Sequence, residues 1–302
     1  MHSTAFIVFY SASPSFSEPV GLRRTLAAAG HEVLSEEPFT GIGRTGARWE
    51  VVGSVRQLRA LVNPLDGQLA RSEDPELRGT AIAVVPAELV HAKKLLLVMD
   101  VDSTLIKQEV IELLAAHAGK EAEVAAVTEL AMRGELDFAQ SLHARVATLA
   151  GLDATVINEV RARLELADGA AELIASFKNA GHHVAVVSGG FAQILDPLAA
   201  DLGLDFARAN DLVIVDGQLS GTVSGTVVDR AYKEEMLRSW AKELGVEIGH
   251  TVAAGDGAND LDMVEAAGLG VAFNAKPLLR DAADARIDLP RLDIIADLVG
   301  IS

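Results

Sequence analysis

The chain predicts an α/β fold, a Rossmann-like parallel sheet with a helical cap insertion, behind a smaller N-terminal α+β unit. Three observations carry this. From Lys94 onward, strand-length apolar runs alternate with helical segments, the pattern of a parallel sheet with crossover helices. Residues 107–169 hold helical periodicity and no strand signal, more than one crossover needs. Residues 1–90 follow a different order, β-α-β-β-α-β, which reads as a ferredoxin-like sandwich.

In the N-terminal unit, Ala5–Tyr10 reads as a strand and Val20–Ala29 as a helix closed by Gly30. His31–Glu36 and Arg48–Ser54 read as strands, Val55–Val62 as a helix and Thr80–Val85 as the last strand. A polar segment, Asn63–Gly79, interrupts it, and Pro86–Lys94 reads as the linker to a second domain, 93–302. There the strands are Leu95–Asp100, His183–Ser188, Thr251–Asp256 and Gly270–Phe273. Cap helices fall at Val110–Ala118, Ala122–Arg133, Phe138–Ala150 and Ala154–Leu164. Asp216-Gly217 supplies the turn of a hairpin over Leu212–Val223.

Composition removes several functions. The formal net charge is −17, and aromatics make up 4% of residues, so a phosphate backbone meets repulsion and few stacking surfaces; no nucleic-acid partner is expected. The absence of cysteine excludes disulfides, thiolate metal sites and cysteine nucleophiles. No apolar run reaches the roughly 18 residues of a membrane span, and Ala5–Tyr10 is too short for a signal peptide, so the expectation is a cytoplasmic protein without a membrane partner.

The chemistry is concentrated at strand ends, where open α/β sheets bind ligands. Asp100 and Asp102 close the run that begins at Lys94, and i and i+2 on a strand share a side. Close carboxylates repel unless a cation lies between them or one is protonated. Mg²⁺ with a phosphate ester would use both, since Mg²⁺ takes one or two carboxylates, waters and a phosphate oxygen. Ser188-Gly-Gly190 offers a hydroxyl and backbone N–H groups, an anion site. Lys233 lies in a mixed helix, with Lys242 as its nearest competitor. Gly255-Asp-Gly-Ala-Asn-Asp260 places Asp256, Asn259 and Asp260 at a third strand end.

Asp100-Val-Asp-Ser-Thr104, Ser188-Gly-Gly190, Lys233 and Gly255–Asp260, in this order, resemble the haloacid dehalogenase-like (HAD-like) phosphatases from about Lys94 to the C-terminus. The resemblance implies Asp100 as nucleophile, Asp102 as general acid and then base, and Asp100, Asp102 and Asp256 as ligands of Mg²⁺. It further implies Lys233, Ser188, Gly189 and Asn259 as phosphate contacts, with Asp260 steadying the metal's surroundings.

Within that superfamily, Glu109-Val-Ile-Glu112, Met132, Phe138 and Arg145 are spaced as in phosphoserine phosphatases. A buried Glu suits an ammonium and an Arg a carboxylate. By this resemblance Glu109 holds the amino group of O-phospho-L-serine, Arg145 its carboxylate, and Met132 and Phe138 close over it, in the last step of serine biosynthesis. The N-terminal unit resembles the ACT-like domains of such enzymes. It lacks their Asp-Arg-Pro-Gly type of loop, having Ser11-Ala-Ser-Pro-Ser-Phe-Ser17, and is read as a regulatory, packing or dimerisation module that leaves a homodimer open. The alternatives are a related phosphatase or phosphotransferase on another small ester, or a non-catalytic serine-responsive regulator.

Overall fold

The structure, a computed structural model, describes residues 3–16, 18–74, 77, 79–132 and 137–301. The N-terminal domain runs β1 (Thr4–Ser11), α1 (Leu22–Ala28), β2 (Val33–Gly41), β3 (Arg44–Val52), α2 (Val55–Ala70) and β4 (Ala81–Pro86). Its antiparallel sheet has the order β2-β3-β1-β4. The apolar run of β1 is continuous because both faces are covered. Ala5, Ile7 and Phe9 pack with Leu22, Leu26, Leu58 and Val62 of the two helices. Phe6, Val8 and Tyr10, on the other face, join the core of the following domain.

Two expectations fail here. The segment Asn63–Gly79 is not an interruption throughout, for α2 continues to Ala70 across Pro64. A proline there forfeits one helical hydrogen bond, but Leu61, Leu65 and Leu69 repeat every four residues and pack onto the domain's core, which holds the last turns in place. β2 and β3 also extend past His31–Glu36 and start before Arg48, meeting at a tight turn with Gly43 at φ 70°. The linker region carries a short helix, α3 (Ala87–Val90).

The second domain follows as β5 (Leu96–Met99), four cap helices, α4 (Val110–Ala118), α5 (Glu121–Met132), α6 (Phe138–Ala147) and α7 (Val156–Arg161), then α8 (Ala170–Asn179), β6 (His183–Phe191), α9 (Ala192–Asp201), β7 (Phe206–Val215) and β8 (Gln218–Ser224). It ends with α10 (Arg230–Leu244), β9 (Thr251–Gly255), α11 (Leu261–Ala266), β10 (Leu269–Phe273), α12 (Pro277–Ala282), β11 (Ala285–Ile287) and α13 (Ile294–Val299). The sheet order is β11-β10-β9-β5-β6-β7-β8, parallel except for the β7–β8 hairpin. β5 is sandwiched: Leu97 and Met99 face one core, Leu96 and Val98 the other. Full burial of such side chains stabilises by about 1.5–3 kcal/mol each. β11 and the first half of β7 carry no clear sequence signal of their own and were not expected.

β5 lies between β6 and β9, so its carboxyl end is the switch point of the sheet. The cap is tethered beside it. Ile106 and Leu166 bridge, with Lys107 N–H donating to Glu165 O and Ala167 N–H to Leu105 O, both at 2.9 Å. The Asp216-Gly217 turn forms as expected, with φ of 49° and 80°. Its hairpin props the cap through Gly151 N–H to Leu219 O and Leu219 N–H to Leu152 O, each 2.8 Å.

The two domains are joined by buried charge. Arg286 on β11 donates to Asp66 of α2 at 2.6 and 2.9 Å and to Thr80 O at 2.8 Å, while Tyr10 Oη donates to Arg286 O at 2.9 Å. Arg44 pairs with Asp293 at 2.9 Å and also with Asp297. Removing one partner of a buried pair strands the other, so Arg286→Ala should cost about 3–5 kcal/mol. Urea denaturation should show this as a lowered midpoint, and adding Asp66→Asn should recover part of the loss.

Candidate active site

The chain leaves β5 through one wide turn, Val101–Leu105, in which Ile106 N–H reaches back to Val101 O at 3.0 Å and Ser103 adopts φ 55°. This turn parts the two aspartates. Asp100 stays at the strand end, buried, held by its own N–H to Ala254 O of β9 at 2.9 Å. Asp102 turns toward β6 and the cap. Its Oδ1 accepts from Val110 N–H at 2.7 Å, and its Oδ2 from Ser188 Oγ at 2.9 Å.

Lys233 lies on the buried face of α10 with Leu237, Trp240 and Ala241, and Asp229 caps the helix start through Tyr232 N–H. That face carries the ammonium inward to Asp100 and Asp260, each 2.7 Å away. Asp260 Oδ2 accepts from the N–H groups of Asp256 and Gly257 at 3.2 and 3.1 Å, folding the Gly255–Asp260 turn around itself. Asn259 Nδ2 donates to Asp100 Oδ2 at 3.4 Å. Lys242, exposed and remote on α10, has no part in this arrangement.

Carboxylate oxygens of Asp100, Asp256 and Asp260 lie within 4.8 Å of one another, an arrangement able to hold a metal ion. One buried ammonium pairs with two of these three carboxylates, and Asp256 has only the exposed Lys276 at 4.0 Å, so a divalent cation fits the cluster. Asp100 and Asp256 of the expected ligand set belong to it, with Asp260 as the third carboxylate; the Asp102 side chain lies outside it, accepting from Val110 N–H and Ser188 Oγ. A second difference concerns Ser188-Gly-Gly190. Gly190 N–H donates to Ser188 Oγ at 2.7 Å, so it is not available to an anion.

The environments set the protonation. Burial, then the charge of Asp260, pushes the Asp100 pKa well above the carboxylate range, against the pull of Lys233. Burial also lifts Asp102 and Asp256. Burial alone would lower Lys233, but Asp100 and Asp260 outweigh it and keep the ammonium firmly charged.

A cavity of about 150 Å³ opens above these residues, with Asp100, Asp102, Asp256 and Asn259 on its floor and Glu109, Phe138 and Arg145 on the cap side. Glu109 precedes α4; burial, then the Asp102 charge, pushes its pKa up to about 7, while Ser103 Oγ donates to it at 2.7 Å. Arg145 sits on α6, its pKa drawn down by burial. Its Nε donates to Ser141 O at 3.3 Å, and it meets no carboxylate at ion-pair distance among the described residues. Phe138, behind the Asp137–Gln140 capping box, rests on Gly189; a Cβ there would come within 2.9 Å of the ring. Gly189 also lines the cavity, whereas Ser188 and Lys233 sit behind its wall, tied to carboxylates. The side chain of Met132 lies outside the described residues.

Two residues here were not singled out by the sequence. Asn210 on β7 donates to Gly189 O at 2.9 Å and Gly190 O at 3.3 Å and accepts from Val228 N–H at 2.8 Å, fixing the loop after Ser188. The sequence offered no signal for it, since the first half of β7 was not expected as a strand. Lys276, after β10, lines the cavity from the side of Asp256.

Lys233→Met should expose the charge imbalance. Without the ammonium the folded-state pKa values of Asp100 and Asp256, already raised, rise further. Carboxylates raised on folding lose their contribution as pH climbs through the folded value. The variant should therefore lose more of its urea midpoint at about pH 8 than at about pH 5, and added Mg²⁺ should restore part of the loss at the higher pH.

A sequence model of the haloacid dehalogenase-like hydrolases matches residues 97–265. A phosphoserine phosphatase from Streptomyces coelicolor is 61% identical over 224 residues, which are 74% of this chain and 55% of that protein, so the chain spans little more than half of that relative. One from Streptococcus thermophilus is 48% identical over 68% of this chain and 95% of its own length. The crystal structure of a probable phosphoserine phosphatase from Vibrio cholerae, unliganded, superposes with TM-score 0.73 at 33% identity over 98% of this chain and 86% of that one, ACT-like domain included. No helix among the described residues is long and apolar enough to cross a membrane. With the ordered motifs converging on one carboxylate-lined cavity, the chain belongs to the phosphoserine phosphatase family of the haloacid dehalogenase-like hydrolases.

Proposed function

We propose that the protein is a cytoplasmic, Mg²⁺-dependent phosphoserine phosphatase that hydrolyses O-phospho-L-serine to L-serine and phosphate in the last step of serine biosynthesis. One observation carries the reading. A cavity of about 150 Å³ presents Asp100 and Asp102 from the sheet, and Glu109 and Arg145 from the cap, to the same small volume. A phosphate, an ammonium and a carboxylate on one three-carbon skeleton match those groups.

Asp100, aligned by Asn259 and Lys233, attacks phosphorus, and the bond to the serine oxygen breaks. Asp102, whose pKa burial has raised, delivers its proton to that oxygen. After serine leaves, Asp102 takes a proton from the water that attacks the aspartyl-phosphate, and the bond from phosphorus to Asp100 breaks. Lys233 shields Asp100 from the charge of Asp260 while the phosphate occupies the site, and Ser188 keeps Asp102 oriented. Mg²⁺ at Asp100 and Asp256, with Asp260 beside them, would neutralise the phosphate and hold one of its oxygens. Phe138 and Leu142 exclude water from the cap side. The ACT-like domain is assigned a packing role, supported by the sheet face it shares with the catalytic core.

Phosphate release from O-phospho-L-serine with Mg²⁺, beside a panel of other phosphate esters, tests this. The wild type should prefer phosphoserine, and Asp100→Asn should abolish turnover; turnover of other esters alone would remove the substrate, and none at all would leave the regulator. A charge-assisted hydrogen bond contributes about 1.5–3 kcal/mol, so Arg145→Ala should cost about 10- to 100-fold in kcat/KM for phosphoserine. It should cost little for phosphoethanolamine, which has no carboxylate.

The Glu109 carboxyl must be ionised to hold an ammonium. With its pKa at about 7, KM for phosphoserine should rise as pH falls through that value. Glu109→Gln should flatten this limb, leaving only the titration of the substrate phosphate near pH ~6.

A further inference from the structure

Lys276 belongs to none of the motifs of the reaction, yet it lines the same cavity. Its backbone is fixed, because its N–H donates to Asp256 O at 2.9 Å and Pro277 follows at the first position of α12. Its side chain is not. It is 72% exposed, and its ammonium stands 4.0 Å from Asp256 Oδ2, the outer limit of an ion pair. In water such a contact holds a lysine only weakly.

The other cations of the site are placed differently. Lys233 is fully buried and bridges two carboxylates. Arg145 is partly buried on cap helix α6. Among the described residues, Lys276 is thus the one lysine on the cavity wall, and solvent reaches it freely. An incoming anion meets repulsion here, for the chain carries −17 overall, and Glu109 and Asp256 line the same opening. A phosphate monoester arrives with a charge of about −1.5 to −2.

We propose that Lys276 is the capture residue of this enzyme. It is a mobile ammonium at the mouth of the cavity that draws the phosphate dianion in and takes no part in bond making. The role is electrostatic steering at a cleft, which raises the association rate and fades with ionic strength. It acts between side chain and phosphate, so it favours dianionic over monoanionic esters. The proposal rests on the phosphate-ester reading of the site, not on the identity of the ester.

The test compares kcat and KM of wild type, Lys276→Met, Lys276→Arg and Lys242→Met, with O-phospho-L-serine and Mg²⁺, at ionic strengths of about 0.02 M and 0.5 M. Lys242 is exposed on the last turn of α10, and its loss changes the net charge equally. Lys276→Met should lower kcat/KM about fivefold at low salt with kcat nearly unchanged, and the deficit should shrink to within about twofold at high salt. Lys276→Arg should keep most of the wild-type value, and Lys242→Met should match the wild type throughout. No deficit at low salt, an equal deficit at both salts, or the same deficit in Lys242→Met would each overturn the proposal. If the wild type does not turn over phosphoserine, the proposed function fails by itself; the ratio is then read on whichever ester the panel shows to be hydrolysed.

Discussion

A single buried ammonium organises this site. Lys233 has no exposure to solvent and holds Asp100 and Asp260 at 2.7 Å each, so it links three elements that are far apart in sequence. Burying an ion costs several kcal/mol even after relaxation, and the cost is met only when partners are close and their remaining hydrogen bonds are made. The surroundings meet that condition. Asp260 spends its other oxygen on the N–H groups of Asp256 and Gly257, and Asp100 receives Val101 N–H and Asn259. Gly255 is part of the same constraint, for a Cβ there would overlap the Asp260 side chain. Shift α10 by a fraction of a turn and the ammonium leaves, two carboxylates face each other, and the end of β5 loses its shape.

From this constraint follows the separation of roles between two aspartates two residues apart. Asp100 is kept beside fixed positive charge, whereas Asp102 receives neutral donors, Val110 N–H and Ser188 Oγ. Chemically identical groups are thereby held in different surroundings, Asp100 by Lys233 and Asn259 at the sheet end and Asp102 by donors from β6 and the start of the cap. The wide turn with Ser103 at φ 55° produces that divergence, because a regular strand would have aimed both carboxylates the same way. Ser103 then uses its hydroxyl to hold Glu109, so one strained residue sets the directions of Asp102 and of the cap's entry.

That turn marks the limit of what the sequence disclosed. Fully buried parallel strands are continuous apolar runs, so Leu95–Asp100, His183–Ser188 and Thr251–Asp256 were visible. So was α4, whose apolar period is bounded by Glu109 and Gly119. The i, i+2 rule for Asp100 and Asp102 presumed that strand geometry continues past Asp100, whereas the turn sends the Asp102 side chain toward Val110 and Ser188. Other failures share a cause: the deciding partner is remote in sequence. α2 outlasts Pro64 because its leucines find the N-terminal core, and β11 is a strand because β10 offers its edge. Asn210 is meaningful only once the carbonyls of Gly189 and Gly190 are seen in front of it. Arg286 and Asp66, 220 residues apart and in no motif, are a largely buried pair.

The same remote pair bears on how the ACT-like domain relates to the catalytic one. A sheet with one face on its own helices leaves a second face to be covered, and here Phe6, Val8, Tyr10, Ala81, Ala83 and Val85 share a core with Ile294, Ile295 and Leu298 of α13. Interfaces between tethered domains are usually more polar and permit relative motion; an apolar face closed at its margins by Arg44–Asp293 and Arg286–Asp66 does not. The segment carrying Arg286 is also short. From Asp256 O, which accepts Lys276 N–H, the chain passes through α12 to β11, whose Arg286 grips α2. The wall of the cavity that bears Lys276 is therefore braced from behind by the N-terminal domain, while the wall that bears Arg145 stands on the cap and the β7–β8 hairpin. One side of the site is thus tied to the N-terminal domain through Arg286 and the other to an insertion held at Ile106–Leu166 and by the β7–β8 hairpin, so a change at either anchor acts on a different wall of the cavity.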